Sequence, residues 1–459
     1  MTFFTKKSAK SIAIQPLTEK SFSGWLKKQK KDIQLWVESS EFKAKQESIL
    51  ILPSKDGKIS QVLFGTDEDF NTFTFASLPS RLPYNKEGYH INAKFKSEDA
   101  TKISLGWALG CYSFEKYKSA KSNKGINKLV MPENANTKKL KSSIEAMFLA
   151  RDLINIPANE MGPEELVAAA KKVAPKNSVK VIVGQDLLKK NYPTIYAVGK
   201  GSSRKPRLID FTWGNPKNPK VTLVGKGVCF DTGGLNLKPG GSMYLMKKDM
   251  GGAAHVLGIA SMIMAHNLPI RLRVLIPAVE NSVSGDSFRP SDIIKTRNGI
   301  TVEVGDTDAE GRLILADALA EASSEKPKLL IDFATLTGAA RVALGPDLPA
   351  MLTNDDRIAE ALEKASNKTD DPLWRLPLWQ PYNDMLKSDI ADTNSITSSG
   401  LGGAITAALF LEKFVGKDIP WVHIDTFGWN PTSRPGKPKG GEALAMRAVY
   451  ELIEERFKK

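Results

Sequence analysis

Apolar residues recur in two patterns along this chain, and the patterns alternate from about residue 142 onward. Between Ser142 and Ile154 the apolar positions return at helical spacing, and Pro157 ends the run. Short apolar runs typical of buried strands follow at residues 179–183, 194–198, 207–212, 221–224, 272–278, 329–333 and 421–426. This alternation predicts an α/β domain with a mostly parallel central sheet flanked by helices, and with ligand sites at the carboxyl ends of its strands.

A lysine- and asparagine-rich stretch at residues 118–141 has few large apolar residues and is typical of an exposed linker. We therefore expect a smaller mixed α/β domain at residues 1–130 and the larger α/β domain at residues 131–459. The 459 residues, of which 41% are hydrophobic, suffice for two such cores. No motif assigns chemistry to the first domain, which could restrict access to a site or take part in assembly.

Three carboxylates and a guanidinium crowd into one predicted strand-to-helix turn. Residues 300–304 alternate like a strand, and residues 313–322 have helical spacing. A helix dipole favours acidic groups in the first turn, so Asp306, Asp308 and Glu310 could simply cap this helix. The other interpretation is a site for hard cations.

A second polar cluster lies upstream, where the apolar run 221–224 enters a glycine-rich turn. Lys226 and Asp231 are embedded in this turn, and Lys238 and Asp249 follow it. Lysine is rare in a buried apolar run without a partner. Burial lowers the pKa of a lysine and can leave a neutral amine, which can ligate a metal.

The two clusters together supply four carboxylates and two lysines: Asp231, Asp249, Asp308, Glu310, Lys226 and Lys238. Two divalent cations would neutralise the negative charges, as in two-metal hydrolytic sites. Carboxylates with one amine accept manganese, zinc, magnesium or cobalt. The four histidines form no His-Glu-x-x-His pair, so a histidine-ligated zinc-protease site is unsupported. The competing enzymatic interpretation is a two-metal phosphoester hydrolase, although we find no phosphate-cradling loop.

Five sequence blocks make the chain resemble the leucine aminopeptidase family, also called cytosol aminopeptidases, which are dinuclear metalloexopeptidases. The blocks are residues 225–234, Lys238, and residues 247–254, 307–313 and 334–339, in the family's order and at compatible spacing. The similarity runs from about residue 146 to near the C-terminus. It implies a hydrolase that removes N-terminal residues, preferably leucine and other apolar ones, from peptides with a free N-terminus. It also implies two metal ions per subunit, with manganese or zinc favoured, and a homohexamer.

The resemblance also assigns roles to individual residues. By motif position, Lys226, Asp231, Asp249 and Glu310 would ligate the tightly held metal, and Asp231, Asp308 and Glu310 the more exchangeable one. Lys238 would stabilise the developing oxyanion. Arg312 resembles the family's arginine that holds a bicarbonate ion as proton shuttle, and a plain salt bridge is its alternative. Met246, Thr335 and Gly338 would line the pocket for the first side chain, while the backbone of Leu336 would hold the substrate. Taken alone, Met246 would be a core residue.

The chain departs from the family at Asp306, where asparagine is usual. An ionised Asp306 near the metals could tighten cation binding or disturb the charge balance of the site. We expect instead that it caps the helix or makes a supporting hydrogen bond.

The net charge of +14 invites a nucleic-acid interpretation, and some family members have a second role in DNA binding. Lysines mixed with acids usually mark a solvated face, and no nucleic-acid-binding module is recognisable, so we do not favour that role. No apolar run reaches the length of a signal or a membrane span. Cys111 and Cys229 are too few for a disulfide framework. These features predict a cytoplasmic enzyme without a membrane partner.

Overall fold

The computed structural model describes residues 2–119 and 125–458. It divides the chain into two compact units, Met1–Ile144 with Thr432–Lys439 and Glu145–Pro431 with Gly440–Lys459. Part of the lysine-rich stretch that was expected to be a linker lies outside the described residues. The boundary after residue 130 stays a prediction.

The first unit is built on a six-stranded sheet. Its elements are β1 (Phe4–Thr5), β2 (Ile12–Leu17), α1 (Glu19–Leu26), α2 (Lys31–Ser39), β3 (Ile49–Pro53), β4 (Ile59–Gly65), α3 (Leu78–Arg81), β5 (Tyr89–Ile91), α4 (Ser97–Gly110) and β6 (Leu129–Val130). The strand order is β1-β6-β5-β2-β4-β3, and every neighbouring pair is parallel except β4 with β3. The mixed α/β character expected for this part is confirmed.

The second unit carries a larger sheet, two small sheets and most of the helices, and its first helix begins at Thr137, within the residues of the first unit. In chain order the elements are α5 (Thr137–Asn155), α6 (Pro163–Val173), β7 (Lys180–Val183), α7 (Asp186–Lys189), α8 (Pro193–Gly199), β8 (Arg207–Trp213), β9 (Lys220–Gly225), β10 (Gly227–Asp231), α9 (Gly240–Met243), α10 (Gly251–His266), β11 (Arg271–Asn281), β12 (Ile293–Lys295), β13 (Thr301–Glu303), α11 (Glu310–Ser324), β14 (Leu329–Ala334), α12 (Gly338–Leu344), β15 (Ala350–Thr353), α13 (Asp356–Thr369), β16 (Trp374–Arg375), β17 (Thr393–Asn394), α14 (Gly403–Glu412), β18 (Trp421–Asp425), β19 (Trp429–Asn430), β20 (Gly440–Gly441) and α15 (Met446–Phe457). Short 3-10 helices span Met246–Met250, Thr307–Ala309 and Gln380–Leu386.

The larger sheet has nine strands in the order β16-β15-β18-β14-β9-β11-β8-β7, with β10 paired to β11. The central strands β18, β14, β9 and β11 run parallel, whereas β8 and β15 are antiparallel to their inner neighbours. All six residues of β14 are buried, as expected for a strand covered on both faces. The mostly parallel sheet expected from the sequence is confirmed.

One predicted strand is wrong, because residues 194–198 lie in helix α8. Pro193 stands in the first turn of this helix, where its fixed φ suits a helix start. The Thr194 N–H donates to Asp317 of α11 at 2.8 Å, which satisfies a free donor of that first turn. The β-branched residues that suggested a strand, such as Ile195 and Val198, are buried on the helix.

Strand carboxyl ends gather three residues that the sequence singled out, together with Asp425, which it did not. Lys226 follows β9, Asp231 ends β10, Thr335 follows β14 and Asp425 ends β18. Because β9, β14 and β18 are adjacent and parallel, these positions share one edge of the sheet. Among the described helices, none is both long and apolar enough to cross a membrane.

Candidate metal centre

Three carboxylates from two parts of the chain converge at this edge. Asp231, Asp308 and Glu310 each offer an oxygen, and these oxygens lie within 4.8 Å of one another. Asp231 comes from the end of β10, Asp308 from the short 3-10 helix and Glu310 from the first turn of α11. Asp231 and Glu310 are buried, and Asp308 is partly exposed. The strand-to-helix turn and the upstream cluster therefore meet, as the sequence predicted.

Lys226 joins the fourth carboxylate to this group. Its Nζ lies 2.8 Å from Asp249 Oδ2 and 2.8 Å from Glu310 Oε1, and it donates a hydrogen bond to Thr335 O at 3.1 Å. Gly311 permits this approach, because a side chain there would begin 2.6 Å from Lys226 Nζ. The lysine is held between two buried carboxylates.

Lys238 makes the matching contacts on the other side of the cluster. Its Nζ lies 2.8 Å from Asp231 Oδ2 and 2.5 Å from Asp308 Oδ1. The Lys238 side chain is 12% exposed, so it lies near the mouth of the site, whereas the Lys226 side chain is 3% exposed. The two ammonium groups thus stand at different depths beside one set of carboxylates.

Crowding and burial shift two of the carboxylates, Glu310 and Asp308, towards their neutral forms. Burial raises the pKa of Glu310 well above its ordinary value, and the Asp231 carboxylate raises it further. The same two causes raise the pKa of Asp308 to about 6. Both shifts follow from the concentration of negative charge in a buried cluster.

The pKa of Lys226 moves opposite to the sequence-based expectation. Burial favours a lower pKa, but the carboxylates of Asp249, Glu310 and Asp231 outweigh it and raise the pKa above the ordinary value. The expectation of a lowered pKa considered burial alone and is wrong for this arrangement. Ligation of a metal by this amine therefore requires displacement of its proton.

The donor set suits divalent cations. Within the described part of the chain, Asp249 Oδ2, Asp308 Oδ1 and Glu310 Oε1 are buried without a hydrogen bond of good geometry, and each lies close to a lysine ammonium group. Buried oxygens without a hydrogen bond are rare in folded proteins, and a bound ion can satisfy them. A cluster of carboxylate oxygens with one amine also matches the ligands that manganese, zinc or magnesium accept.

Neighbouring hydrogen bonds fix the directions of the carboxylates. Asp231 Oδ1 accepts from Asn281 Nδ2 and from the Gly233 N–H, both at 2.8 Å. Thr335 Oγ1 donates to Asp249 Oδ1 at 2.7 Å. Asp306 caps the short 3-10 helix, where its Oδ1 accepts from the Asp308 N–H at 2.8 Å, as the sequence suggested.

Arg312 is buried beside the cluster but forms no ion pair with a carboxylate in the part of the chain that the structure describes. Its Nη1 donates to Ser395 O at 2.6 Å, and its Nε has no hydrogen-bond partner among residues 2–119 and 125–458. Burial lowers the pKa of Arg312 to about 10. The salt bridge considered for Arg312 is therefore absent from the described residues, and one edge of the guanidinium remains available to an anion.

The loop after β14 carries the residues expected to hold substrate, and a residue that the sequence analysis missed fixes it. Asp425 Oδ1 accepts from the Leu336 N–H at 2.9 Å and the Thr337 N–H at 3.3 Å, and Oδ2 accepts from Thr337 Oγ1 at 2.6 Å. Gly338 opens α12 directly after this loop, and Met246 opens the 3-10 helix that carries Asp249.

Asn281 and Asp425 share a signal that sequence reasoning could have used. Each is a polar residue at the carboxyl end of a largely buried strand. Such ends are where ligand sites gather in parallel α/β sheets.

Two family models match most of the chain. The model of the catalytic domain of the cytosol aminopeptidase family matches residues 148–450. The model of the M17 aminopeptidase N-terminal domain matches residues 12–132. A probable cytosol aminopeptidase of Geobacter sp. (strain M21) is 39% identical over 370 residues, which cover 77% of this chain and 75% of the relative.

Solved structures are similar over nearly the whole length. The cytosol aminopeptidase from Coxiella burnetii matches with a TM-score of 0.94 and 48% identity, and the match covers 99% of both chains. The bottromycin maturation enzyme BotP, solved in complex with Mn, matches with a TM-score of 0.85 and 30% identity, covering 98% of this chain and 100% of BotP. Neither the phosphoester hydrolase nor the nucleic-acid interpretation is favoured by these similarities.

Proposed function

Since the chain belongs to the cytosol aminopeptidase family and is a metal-dependent aminopeptidase, we propose that it hydrolyses peptides at a dinuclear centre held by the clustered carboxylates and Lys226. The observation that carries this proposal is the convergence of four carboxylates on two lysines in one buried site. Leucine and other apolar N-terminal residues are the preferred targets in this proposal.

The ligand assignment follows the family resemblance, by motif position. Lys226, Asp231, Asp249 and Glu310 would hold the tightly bound cation, and Asp231, Asp308 and Glu310 the more exchangeable one. Manganese or zinc is the proposed occupant, and magnesium and cobalt suit the same donors. The bound cations would acidify a water molecule, orient the free amine of the substrate and polarise its scissile carbonyl.

Lys238 is the proposed oxyanion-stabilising residue. Its Nζ stands between Asp231 and Asp308, near the mouth of the site. A compact ammonium charge strengthens its attraction to the carbonyl oxygen as negative charge develops there. The neighbouring carboxylates raise the pKa of Lys238 despite the opposing effect of burial, so the ammonium keeps its proton at neutral pH.

Arg312 is the proposed holder of a bicarbonate ion. The group fits, because the buried Nε lacks a hydrogen-bond partner in the described residues and the planar guanidinium can present two donors to a planar anion. Nη1 is already bonded to Ser395 O, which fixes the orientation of the guanidinium. Bicarbonate at this position would supply a group that accepts and returns a proton during hydrolysis.

Selectivity for a free N-terminus follows from the proposed ligation of the α-amine. A blocked amine should bind poorly because its lone pair is delocalised. Thr335, Gly338 and Met246 would line the pocket for the first side chain, and the Leu336 backbone would hold the peptide. Methionine adapts to several apolar shapes, which supports acceptance of several apolar residues.

Assembly and location are part of the same proposal. We expect a homohexamer in the cytoplasm, by analogy with the family, and no membrane partner. The net charge of +14 leaves nucleic-acid binding as a secondary property to be tested by salt-dependent retardation of duplex DNA.

Hydrolysis of leucine p-nitroanilide tests the proposal. Activity should disappear with chelator, return with Mn²⁺ or Zn²⁺ and be lost in Glu310→Gln, whereas the exposed helix residue variant Glu363→Gln should behave like the wild type. Chelator-resistant activity, or full activity in Glu310→Gln, would contradict the assignment. An aryl phosphodiester should not be cleaved under any of these conditions.

A further inference from the structure

One aromatic ring beside the proposed substrate loop is contacted by two cationic side chains. Lys248 Nζ lies 5.2 Å from the centroid of the Phe427 ring, and the Arg341 guanidinium carbon lies 4.9 Å from it. A separate cation–π contact lies in the first unit, where Lys437 Nζ is 4.8 Å from the centroid of the Phe73 ring. Phe427 is therefore held from two elements, the 3-10 helix Met246–Met250 and α12.

The Phe427 ring is a close contact of both Lys248 and Arg341. Lys248 is 5% exposed, and no carboxylate lies within ion-pair distance of it in the described part of the chain. Arg341 likewise has no ion pair among the described residues, although it is exposed to solvent. Because a buried ammonium needs compensation, its attraction to the negative ring face fixes Phe427 in place.

Neighbours of Phe427 lie next to two of the residues proposed to line the pocket for the first side chain. A side chain at Gly338 would begin 3.9 Å from Arg341 Nη2, so one cation that holds the ring borders this glycine. A side chain at Gly428, the residue after Phe427, would begin 3.4 Å from Thr335 Cγ2. Phe427 itself is partly exposed rather than packed in the core.

We propose that Phe427 limits the size of the first side chain, so that the enzyme favours peptides beginning with a compact aliphatic residue over those beginning with tryptophan or phenylalanine. This inference rests on the proposed aminopeptidase function and names its substrate class. A ring held by two cations moves aside less readily than an unrestrained ring. It therefore limits the size of the side chain that the pocket admits. Differences of one or a few carbons in such a pocket change selectivity by about 10- to 200-fold.

The test compares kcat/KM for leucine, phenylalanine and tryptophan p-nitroanilides in the Mn²⁺-loaded enzyme. Phe427→Ala should lower the leucine-to-tryptophan ratio by at least about tenfold. Arg341→Gln should lower it by a smaller factor, since one of the two cations remains. Phe73→Ala, which removes a ring contacted by Lys437 in the first unit, is the matched control and should keep the wild-type ratio.

An unchanged ratio in folded, metal-loaded Phe427→Ala would overturn the inference, as would an equal fall for all three substrates. If Phe427→Ala does not fold, Phe427→Leu replaces it and should shift the ratio in the same direction. Absence of hydrolysis of every anilide by the wild type would overturn both this inference and the proposed function. Hydrolysis with an unaltered ratio would overturn this inference alone.

Discussion

Replacing Asp425 should impair substrate positioning without removing a proposed metal ligand. This carboxylate is buried and accepts three hydrogen bonds from Leu336 and Thr337, the first residues after Thr335 in the proposed substrate loop. Burial raises the pKa of Asp425, while His423 and these donors oppose the shift by favouring the charged carboxylate. We expect Asp425→Ala to release the loop.

The magnitude follows from the three contacts. Hydrogen bonds to a charged acceptor contribute about 1.5–3 kcal/mol each, but the 3.3 Å bond from Thr337 N is long, and water can reach the half-buried loop once Asp425 is removed. We therefore expect a net loss of about 2.7 kcal/mol in transition-state stabilisation, which is about a hundredfold fall in kcat/KM. Asp425→Asn keeps one acceptor oxygen for the backbone N–H groups and should lose about tenfold or less.

The assay measures kcat/KM for leucine p-nitroanilide, bound manganese and melting temperature for wild type, Asp425→Asn and Asp425→Ala. The manganese content should stay constant across the three proteins. The value of kcat/KM should fall from the wild type to Asp425→Asn and further to Asp425→Ala. A folded Asp425→Ala enzyme with kcat/KM within about threefold of the wild type would refute the positioning role. Loss of manganese together with activity would instead place Asp425 in support of the metal centre.

Three further predictions concern single side chains. Asp306→Asn restores the residue usual in the family and keeps an oxygen for the 2.8 Å cap, so the melting temperature should be nearly unchanged, while loss of one negative charge should weaken Mn²⁺ binding in a titration. Arg312→Lys should lose most bicarbonate stimulation of activity, because an ammonium cannot present the planar fork, and equal stimulation in both proteins would argue against a bicarbonate site. Burial raises the pKa of Asp317 to about 6 from an ordinary value of 3.8, so the folded state retains a proton there between about pH 4 and 6 and stability falls as pH rises through that window. Asp317→Asn should flatten this part of the melting-temperature profile, and a profile that falls as steeply as that of the wild type would contradict the assignment.

The larger sheet was predictable because its strands are continuous apolar runs bounded by glycine and polar residues. The failure at residues 194–198 has a local cause. Thr194, Ile195 and Val198 have strand propensity, but Pro193 and the hydrogen bond from Thr194 to Asp317 favour a helix start. The partner at Asp317 is distant in sequence, so no local pattern reveals it.

The proposed site shows the same division between local and distant information. Lys226, Asp231 and Glu310 stand in short motifs whose chemistry is readable from neighbouring residues. The supporting contacts of Asn281 and Asp425 arise only when separate strands end at one edge of the sheet. The direction of the pKa shift of Lys226 could not be predicted from its neighbours in the sequence either, since it depends on carboxylates from three segments of the chain.

The most direct measurement of the proposed dinuclear centre is the number of manganese ions bound per chain after equilibrium dialysis of metal-stripped protein. The wild type should bind two ions, and Asp308→Asn should retain about one because it removes a ligand assigned only to the more exchangeable ion. Asp286→Asn, at an exposed loop carboxylate, serves as the matched control and should bind two. A wild-type stoichiometry of one or none, or two tightly held ions in Asp308→Asn, would contradict the proposed centre.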